Sequence, residues 1–160
     1  MVPYGGFWWR FLAFILDWII LQVATSFIGG LFGFGLAVPL TGLGADQVTM
    51  LWTVMLGMVG SMLASYWLYF ALMESSRLQA TVGKLAVGVV VTDLDGQRLT
   101  FLRASGRFFA KLLSYATFFI GFIMIAFTGR KQGLHDFIAG TLVYKTRDPA
   151  MLFDNHDVFA

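Results

Sequence analysis

Asp17 is the residue whose type and surroundings point most directly to chemistry. Between residues 7 and 40 the only other charged residue is Arg10. A helix that starts near Phe7 rises about 1.5 Å per residue and places Asp17 about 15 Å along its axis, near the middle of a bilayer. Lipid disfavours a carboxylate there, so Asp17 must face protein or water and be paired or protonated. Asp17 is therefore either an ion or proton site or part of a buried pair that fixes helix register.

The cation that compensates Asp17 is expected to come from another segment. Arg10 shares a helical face with Asp17, but it lies about 10.5 Å away along the axis and helical side chains lean towards the N-terminus. A second helix, with Thr100 as its N-cap, carries a polar stripe at spacings of four, four and three residues, formed by Arg103, Arg107, Lys111 and Ser114. We predict that Asp17 pairs with Arg107, the central cation, and not with Arg10.

His135 and Asp136 form a second titratable group. A histidine titrates near neutrality, and a neighbouring carboxylate can tune it. Adjacent residues on a helix point about 100° apart, so they rarely bond to each other. The pattern favours a local cap or anchor for the third apolar segment, with a tuned proton site as the alternative.

The patterns typical of enzymes and metalloproteins are missing from the sequence. There is no cysteine, and no Ser/His/Asp arrangement, carboxylate pair or dinucleotide fingerprint stands in a usable context. Gly83 and Lys84 lack the longer glycine-rich frame of a phosphate loop, which favours Lys84 as a contact to lipid headgroups. We expect no enzymatic activity, no cofactor, no metal and no nucleic-acid partner.

The elements that carry these residues are expected to lie in a membrane. Of the 160 residues, 58% are hydrophobic and 12% are charged, against roughly 25% charged in an average soluble domain. A soluble fold of this size has no room to bury so much apolar surface. The predicted class is an all-α membrane protein with two transmembrane helices, a third apolar helical segment that crosses or re-enters, and a small cytoplasmic β-hairpin.

Uncharged runs define the predicted spans. The first runs from about residue 7 to 28 and is followed by a glycine-rich loop, and the second runs from 48 to 73. The third, residues 112 to 127, is about 24 Å long as a helix and marginal for a crossing. A face of small residues on the second span predicts close helix packing, within one chain or between copies: Gly57, Gly60, Ser61, Ala64 and Ser65.

A basic segment, residues 74 to 111, is expected to lie in the cytoplasm together with the N-terminus. Within it, Val89 to Thr92, a turn at Asp95-Gly96 and residues 99 to 101 predict a β-hairpin. Residues 140 to 144 also have strand character. They pair with the Val89 strand only if the third segment returns to the same side, which we favour. Residues 1 to 147 are taken as the membrane domain, and 148 to 160 as a polar tail.

Three stretches together resemble the RDD family of small membrane proteins: Trp-Arg-Phe-Leu-Ala-Phe-Ile-Leu-Asp at 9 to 17, Thr-Val-Gly-Lys-Leu-Ala-Val-Gly-Val-Val-Val at 81 to 91, and Gly-Leu-His-Asp-Phe-Ile-Ala-Gly-Thr at 133 to 141. The family is named for an arginine and two aspartates, which match Arg10, Asp17 and Asp136. The motifs also include Gly83, Lys84, Gly140 and Thr141.

The resemblance implies a multi-pass protein of the bacterial cytoplasmic (inner) membrane. Two functions stay open. One is transport of a small ion or solute, including proton-coupled cation exchange, through a buried network of arginine and aspartate. The other is a non-catalytic accessory or assembly subunit of a larger membrane complex. The expected partners are the lipid bilayer and, for either function, a homo-oligomer or a larger complex.

Overall fold

The computed structural model describes residues 2–116 and 120–152, with the side chains of 115–123 left aside. The chain forms helices α1 (Phe7–Gly42), α2 (Gln47–Ser75) and α3 (Val82–Val87), strand β1 (Val90–Asp93), helices α4 (Phe101–Ala116), α5 (Ile120–Phe127) and α6 (Leu134–Ala139), strand β2 (Thr141–Tyr144) and a 3-10 turn (Pro149–Leu152). Residues 117–119 of the third apolar segment and 153–160 of the predicted tail lie outside the described residues. The boundary at 147 stays a prediction.

The predicted class, an all-α membrane protein with a small antiparallel β element, is confirmed. By length and composition, α1 and α2 are the two described helices that are able to cross a membrane. The chain divides into two compact units. The first comprises Met1–Asp17 and Tyr69–Ala160, and the second comprises Trp18–Leu68.

The glycine-rich loop predicted after residue 28 is wrong, because α1 continues through it to Gly42. In an apolar environment the backbone has no water to bond, and a helix satisfies its own polar groups even where glycine is frequent. The glycines of this segment also admit a neighbour. A Cβ at Gly33 would lie 3.4 Å from the sulfur of Met58 in α2.

The small-residue face of α2 packs in part within the second unit. A Cβ at Gly57 would approach Leu36 Cδ1 to 2.5 Å, so Gly57 permits a close contact with α1. At Gly60 a Cβ would meet nothing within 4 Å, and Ala64 is exposed. The hydroxyls of Ser61 and Ser65 donate to carbonyls of their own helix.

The two strands pair antiparallel, with Val90 opposite Tyr144 and Asp93 opposite Thr141. The predicted pairing between residues 140–144 and the Val89 strand is confirmed. The expected second strand at residues 99 to 101 is not formed, because the chain enters α4 at Phe101. The Thr100 hydroxyl instead accepts from the Arg103 N–H at 3.3 Å, which confirms Thr100 as an N-cap.

The sheet gathers three distant parts of the first unit. The Gly5 N–H donates to the Val143 carbonyl at 2.8 Å, and the Lys145 N–H donates to the Pro3 carbonyl at 2.8 Å. Residues 3–5 therefore run beside β2, as β1 does. Because Asp93 pairs with Thr141, the two ends of the intervening segment, residues 94 to 140, lie next to each other.

Candidate functional site

The polar stripe of α4, apart from Arg103, is turned towards the interior of the first unit. Arg107 is only 2% exposed, and Ala104, Ser105 and Ser114 on the same side are buried. The predicted helix with a polar face is confirmed. Arg107 and Lys111 meet two acidic residues from different elements, Glu74 at the end of α2 and Asp136 in α6.

Arg107 connects these two acidic residues. Its Nη1 donates to Glu74 Oε2 at 2.8 Å, while its Nε and Nη2 donate to Asp136 Oδ1 at 2.9 and 2.7 Å. A planar guanidinium offers five N–H groups in a fixed fork, which suits binding to two carboxylates at once. The contacts of Arg107 hold α2, α4 and α6 together.

Asp136 is fully buried and accepts from several donors. Arg10 of α1 binds its Oδ2, the Gly133 N–H donates to Oδ2 at 3.1 Å, and the Thr141 hydroxyl donates to Oδ1 at 3.2 Å. Burial alone would raise the pKa of Asp136, but Arg107 and Arg10 hold it well below its ordinary value. The bond from Gly133 caps the start of α6, so the predicted local cap is confirmed.

Glu74 is the acidic residue that sequence reasoning missed. It is buried and accepts from Lys84 of α3 at 2.5 Å and from Lys111 of α4 at 3.4 Å, in addition to Arg107. The available signal was its place as the single charge at the end of the long uncharged run 48–73. A charge in that place also fits the plain end of a membrane span, and only the structure shows that the Glu74 side chain is buried in the protein.

These six residues form the charge cluster: Arg10, Glu74, Lys84, Arg107, Lys111 and Asp136. Four cations share two carboxylates through the ion pairs, so the cluster has a formal surplus of two positive charges. Burial lowers the pKa of Lys84, repulsion by Arg107 and Lys111 lowers it too, and the attraction of Glu74 offsets these effects only in part, so that the pKa is about 7. Lys84 is thus poised to release or take up a proton near neutral pH.

The predicted contact of Lys84 with lipid headgroups is wrong, because its side chain is buried and paired with Glu74. The reason lies in α3, a short helix that begins after Thr81 and that the sequence analysis did not foresee. The Thr81 hydroxyl accepts from the Lys84 N–H at 3.4 Å. This cap turns the chain so that Lys84 follows the helix into the interior.

Asp17 is bound by neutral donors, and its predicted pairing with Arg107 is wrong. Asp17 is 1% exposed and accepts from the Tyr69 hydroxyl at 2.7 Å, the Thr81 hydroxyl at 2.5 Å and the Gly83 N–H at 2.7 Å. Two donors at the start of α3 and one from α2 therefore take the place predicted for a cation. Arg107 is held instead by the two carboxylates of the cluster.

Arg10 behaves as its helical direction predicts. It binds Asp136 and not Asp17, and its Nε donates to the Gly5 carbonyl at 2.8 Å, one turn before it. Its Nη2 also donates to the Lys131 carbonyl at 2.5 Å. The expectation that Arg10 and Asp17 do not pair is confirmed.

Steric contacts in this site explain why residue 83 is a glycine. A Cβ there would overlap the Ala13 carbonyl oxygen and lie 2.8 Å from Asp17 Cγ. Only glycine lets the α3 backbone approach α1 closely enough for its N–H to reach Asp17. Gly140 ends α6 with a φ of 60°, in the left-handed region that favours glycine.

Two other candidate residues, His135 and Arg103, lie in different environments. His135 is buried, with its Nε2 3.5 Å from Asp136 Oδ1, and burial lowers its pKa to about 3, so it is neutral at neutral pH. Arg103 lies outside the charge cluster. Its side chain is 55% exposed and pairs with Asp93 at 3.3 Å.

The model of the RDD family matches residues 4–140 of this chain. "Uncharacterized protein YxaI" of Bacillus subtilis (strain 168) is 38% identical over 149 residues, which cover 88% of this chain and 97% of that protein. "Uncharacterized membrane protein YteJ" of the same organism is 34% identical over 146 residues, which cover 88% of this chain and 80% of that protein. No solved structure matches the chain significantly.

Proposed function

Because the chain belongs to the RDD family of membrane proteins, we propose that it transports a small ion or solute across the membrane by exchange with protons. The observation that carries this proposal is the buried ion pair of Lys84 and Glu74, in which a titratable amine lies against a carboxylate that is able to bind its ammonium or another cation. A buried ionisable group in a membrane protein is by default a candidate for ion or proton handling.

Lys84 is the proposed proton carrier. When Lys84 carries the proton, its ammonium group pairs with Glu74. The nearby cations Arg107 and Lys111 repel this ammonium group. Without the proton, the charge surplus of the cluster falls by one. When Lys84 loses the proton, its ion pair with Glu74 is lost. The Glu74 carboxylate then attracts a transported cation more strongly. The exchange is one proton out for one monovalent cation in.

Proteoliposomes test the exchange. Purified protein is reconstituted with a pH-sensitive dye inside, a pH gradient is imposed, and sodium or potassium is added outside. We expect the cation to dissipate the gradient. Lys84→Gln removes the titrating amine and should reduce the rate about a hundredfold, the lower end of general acid–base effects.

Arg77→Gln is the matched control, since it removes one positive charge from an exposed residue by the same type of substitution. It should leave the rate unchanged. No cation-dependent proton movement by the unaltered protein would contradict transport of these cations. Equal losses in Lys84→Gln and Arg77→Gln would contradict the role of Lys84.

A stabilising role in a larger complex is the second candidate function. It is favoured by Asp136, which is fully buried and accepts from Arg10, Arg107, Gly133 and Thr141. A carboxylate bound this thoroughly acts as a permanent lock and is a poor carrier of protons. On this view the cluster holds a scaffold for another membrane protein, and crosslinking in native membranes should return one constant neighbour.

For either function we propose a multi-pass protein of the bacterial inner membrane with a cytoplasmic N-terminus. The positive-inside rule places the basic segment 74–111 in the cytoplasm. Residues 3–5, β1 and β2 run side by side in the first unit, and this supports one common side for all three. The exposed residues Gly60 and Ala64 of α2 are the proposed contact between copies in a homo-oligomer.

A further inference from the structure

The outward side of α4 is apolar, although its inward side is charged. Leu102 is 81% exposed, and Phe109, Leu112 and Leu113 are also exposed. A surface helix of a water-soluble domain has the opposite arrangement, with its polar side outward. In a membrane protein this side of α4 is suited to contact with lipid acyl chains.

An open groove of about 480 Å³ lies between α4 and α6 on this side. Its size falls within the range of ligand pockets, about 300 to 1,000 Å³. The walls are largely apolar, and two of the lining residues are charged. The residues used here are Leu94, Asp95, Leu102, Arg103, Phe137 and Ile138.

The two charged residues give the groove a cation and a carboxylate together. Arg103 uses one N–H for Asp93, and a guanidinium has five. Asp95 is exposed. An occupant that satisfies both residues and the apolar walls has a hydrocarbon part, a phosphate or similar anion, and an ammonium group.

We propose that the groove binds one zwitterionic phospholipid from the surrounding bilayer, with an acyl chain against Leu102, Phe137 and Ile138, its phosphate on Arg103 and its ammonium facing Asp95. Guanidinium groups bind phosphates with two parallel hydrogen bonds. A free phosphate would leave the apolar walls without a contact. A purely anionic headgroup would face Asp95 with like charge.

Gly106 provides the means to test the site. It lines the groove, and a Cβ there would meet nothing within 4 Å, so a larger side chain begins in open space at the groove. Gly129 is a matched control, since it is exposed and its Cβ position is equally open. Both residues lie in the first unit.

The experiment is native mass spectrometry of the full chain released from nanodiscs. One set of nanodiscs contains phosphatidylethanolamine and the other phosphatidylglycerol, with identical acyl chains. We expect the unaltered protein and Gly129→Leu to retain one phosphatidylethanolamine. Gly106→Leu should weaken retention at least about tenfold, since it displaces several methylene groups of the acyl chain from the groove.

Headgroup variants test the chemistry separately from the fold. Arg103→Gln should reduce retention, whereas Arg98→Gln, at another exposed arginine, should not. Asp95→Asn should reduce the preference for phosphatidylethanolamine over phosphatidylglycerol. If Gly106→Leu is unfolded by its melting curve, Ile138→Gln, at an exposed position, replaces it with the same expected loss.

Three results would overturn the proposal. The first is equal lipid retention by the folded groove variants and the unaltered protein. The second is the absence of a preference between the two lipids. The third is displacement of the lipid by inorganic phosphate alone, which would indicate a site for free anions.

Discussion

At the scale of single residues, competition between partners decided which sequence-based predictions succeeded. Arg10 was correctly kept apart from Asp17, because helical side-chain direction is a local property. The assignment of Arg107 to Asp17 failed, because it considered only one carboxylate. Glu74 and Asp136 both reach Arg107, and Asp17 receives three neutral donors. Long-range choices of this kind depend on packing that sequence spacing does not reveal.

The neutral donors around Asp17 lead to a first prediction. Asp17→Asn keeps the size of the side chain but loses the charged acceptor, and hydrogen bonds to charged groups contribute about 1.5–3 kcal/mol. We expect a loss of stability of that size, measured by thermal melting in detergent. Asp17→Asn and Thr81→Val should be coupled by about 0.5–3 kcal/mol in a double-mutant cycle, because their side chains are in direct contact. Simple additivity would contradict the bond between Thr81 and Asp17.

Gly83 gives a second prediction. Gly83→Ala places a methyl group onto the Ala13 carbonyl and Asp17, and overpacking of this kind costs about 1–3 kcal/mol or more. The control is Gly106→Ala in α4, where the Cβ meets nothing and alanine favours the helix by about 0.5–1 kcal/mol. Melting temperatures should therefore move in opposite directions. An unchanged melting temperature for Gly83→Ala would contradict the close approach of α3 to α1.

His135 gives a prediction on pH. Its folded pKa of about 3 lies below its ordinary value of 6.5, so the unfolded chain binds a proton first as the pH falls. Stability attributable to His135 is therefore complete above about pH 6.5 and decreases between about pH 6.5 and pH 3. His135→Gln should flatten this part of the stability curve measured by chemical denaturation. An equally steep acid limb in the variant would contradict a neutral, buried His135.

At the scale of elements, short sequence patterns correctly predicted the features that form through contacts between neighbouring residues. The cap at Thr100, the end of α2 and the strand at residues 140–144 follow from short patterns, and the structure contains them. The loop expected after residue 28 failed, because the rules for glycine come from chains in water. The pairing of β1 with β2 was predicted only on the condition that the third segment returns to the same side, because 47 residues separate the two strands and no turn signal joins them.

Thr100 allows a test at this scale. Thr100→Ala removes the hydroxyl that accepts from the Arg103 N–H, and loss of an N-cap costs about 0.5–2 kcal/mol. Thr100→Asn preserves the cap and should retain most of the stability. Circular dichroism during thermal melting reports both. Equal losses for alanine and asparagine would contradict the capping role.

At the scale of the whole molecule, the sheet predicts which ends share a side of the membrane. Residues 3–5 and β2 are hydrogen-bonded to each other, so single cysteines at Val2 and Ala150 should react with a membrane-impermeant maleimide from the same, cytoplasmic side. Ala45, between the two candidate spans, should react from the other side if both cross. Spheroplasts and inverted vesicles distinguish the sides. Labelling of position 150 from outside would contradict the common side.

The bond between Arg10 and Asp136 also has a consequence for the order of assembly while the chain is being synthesised. The two residues are 126 positions apart, and a ribosome adding about 5–20 residues per second needs about 6 to 25 s to travel between them. During that whole interval Arg10 is already made, and for its last 29 residues Arg107 is made too, but the carboxylate that binds both does not yet exist. Until then these cations need water or another partner, because an unpaired buried charge is costly. The bonds of α1 and α4 to Asp136 therefore form only after α6 has been made, later than any contact among the preceding helices.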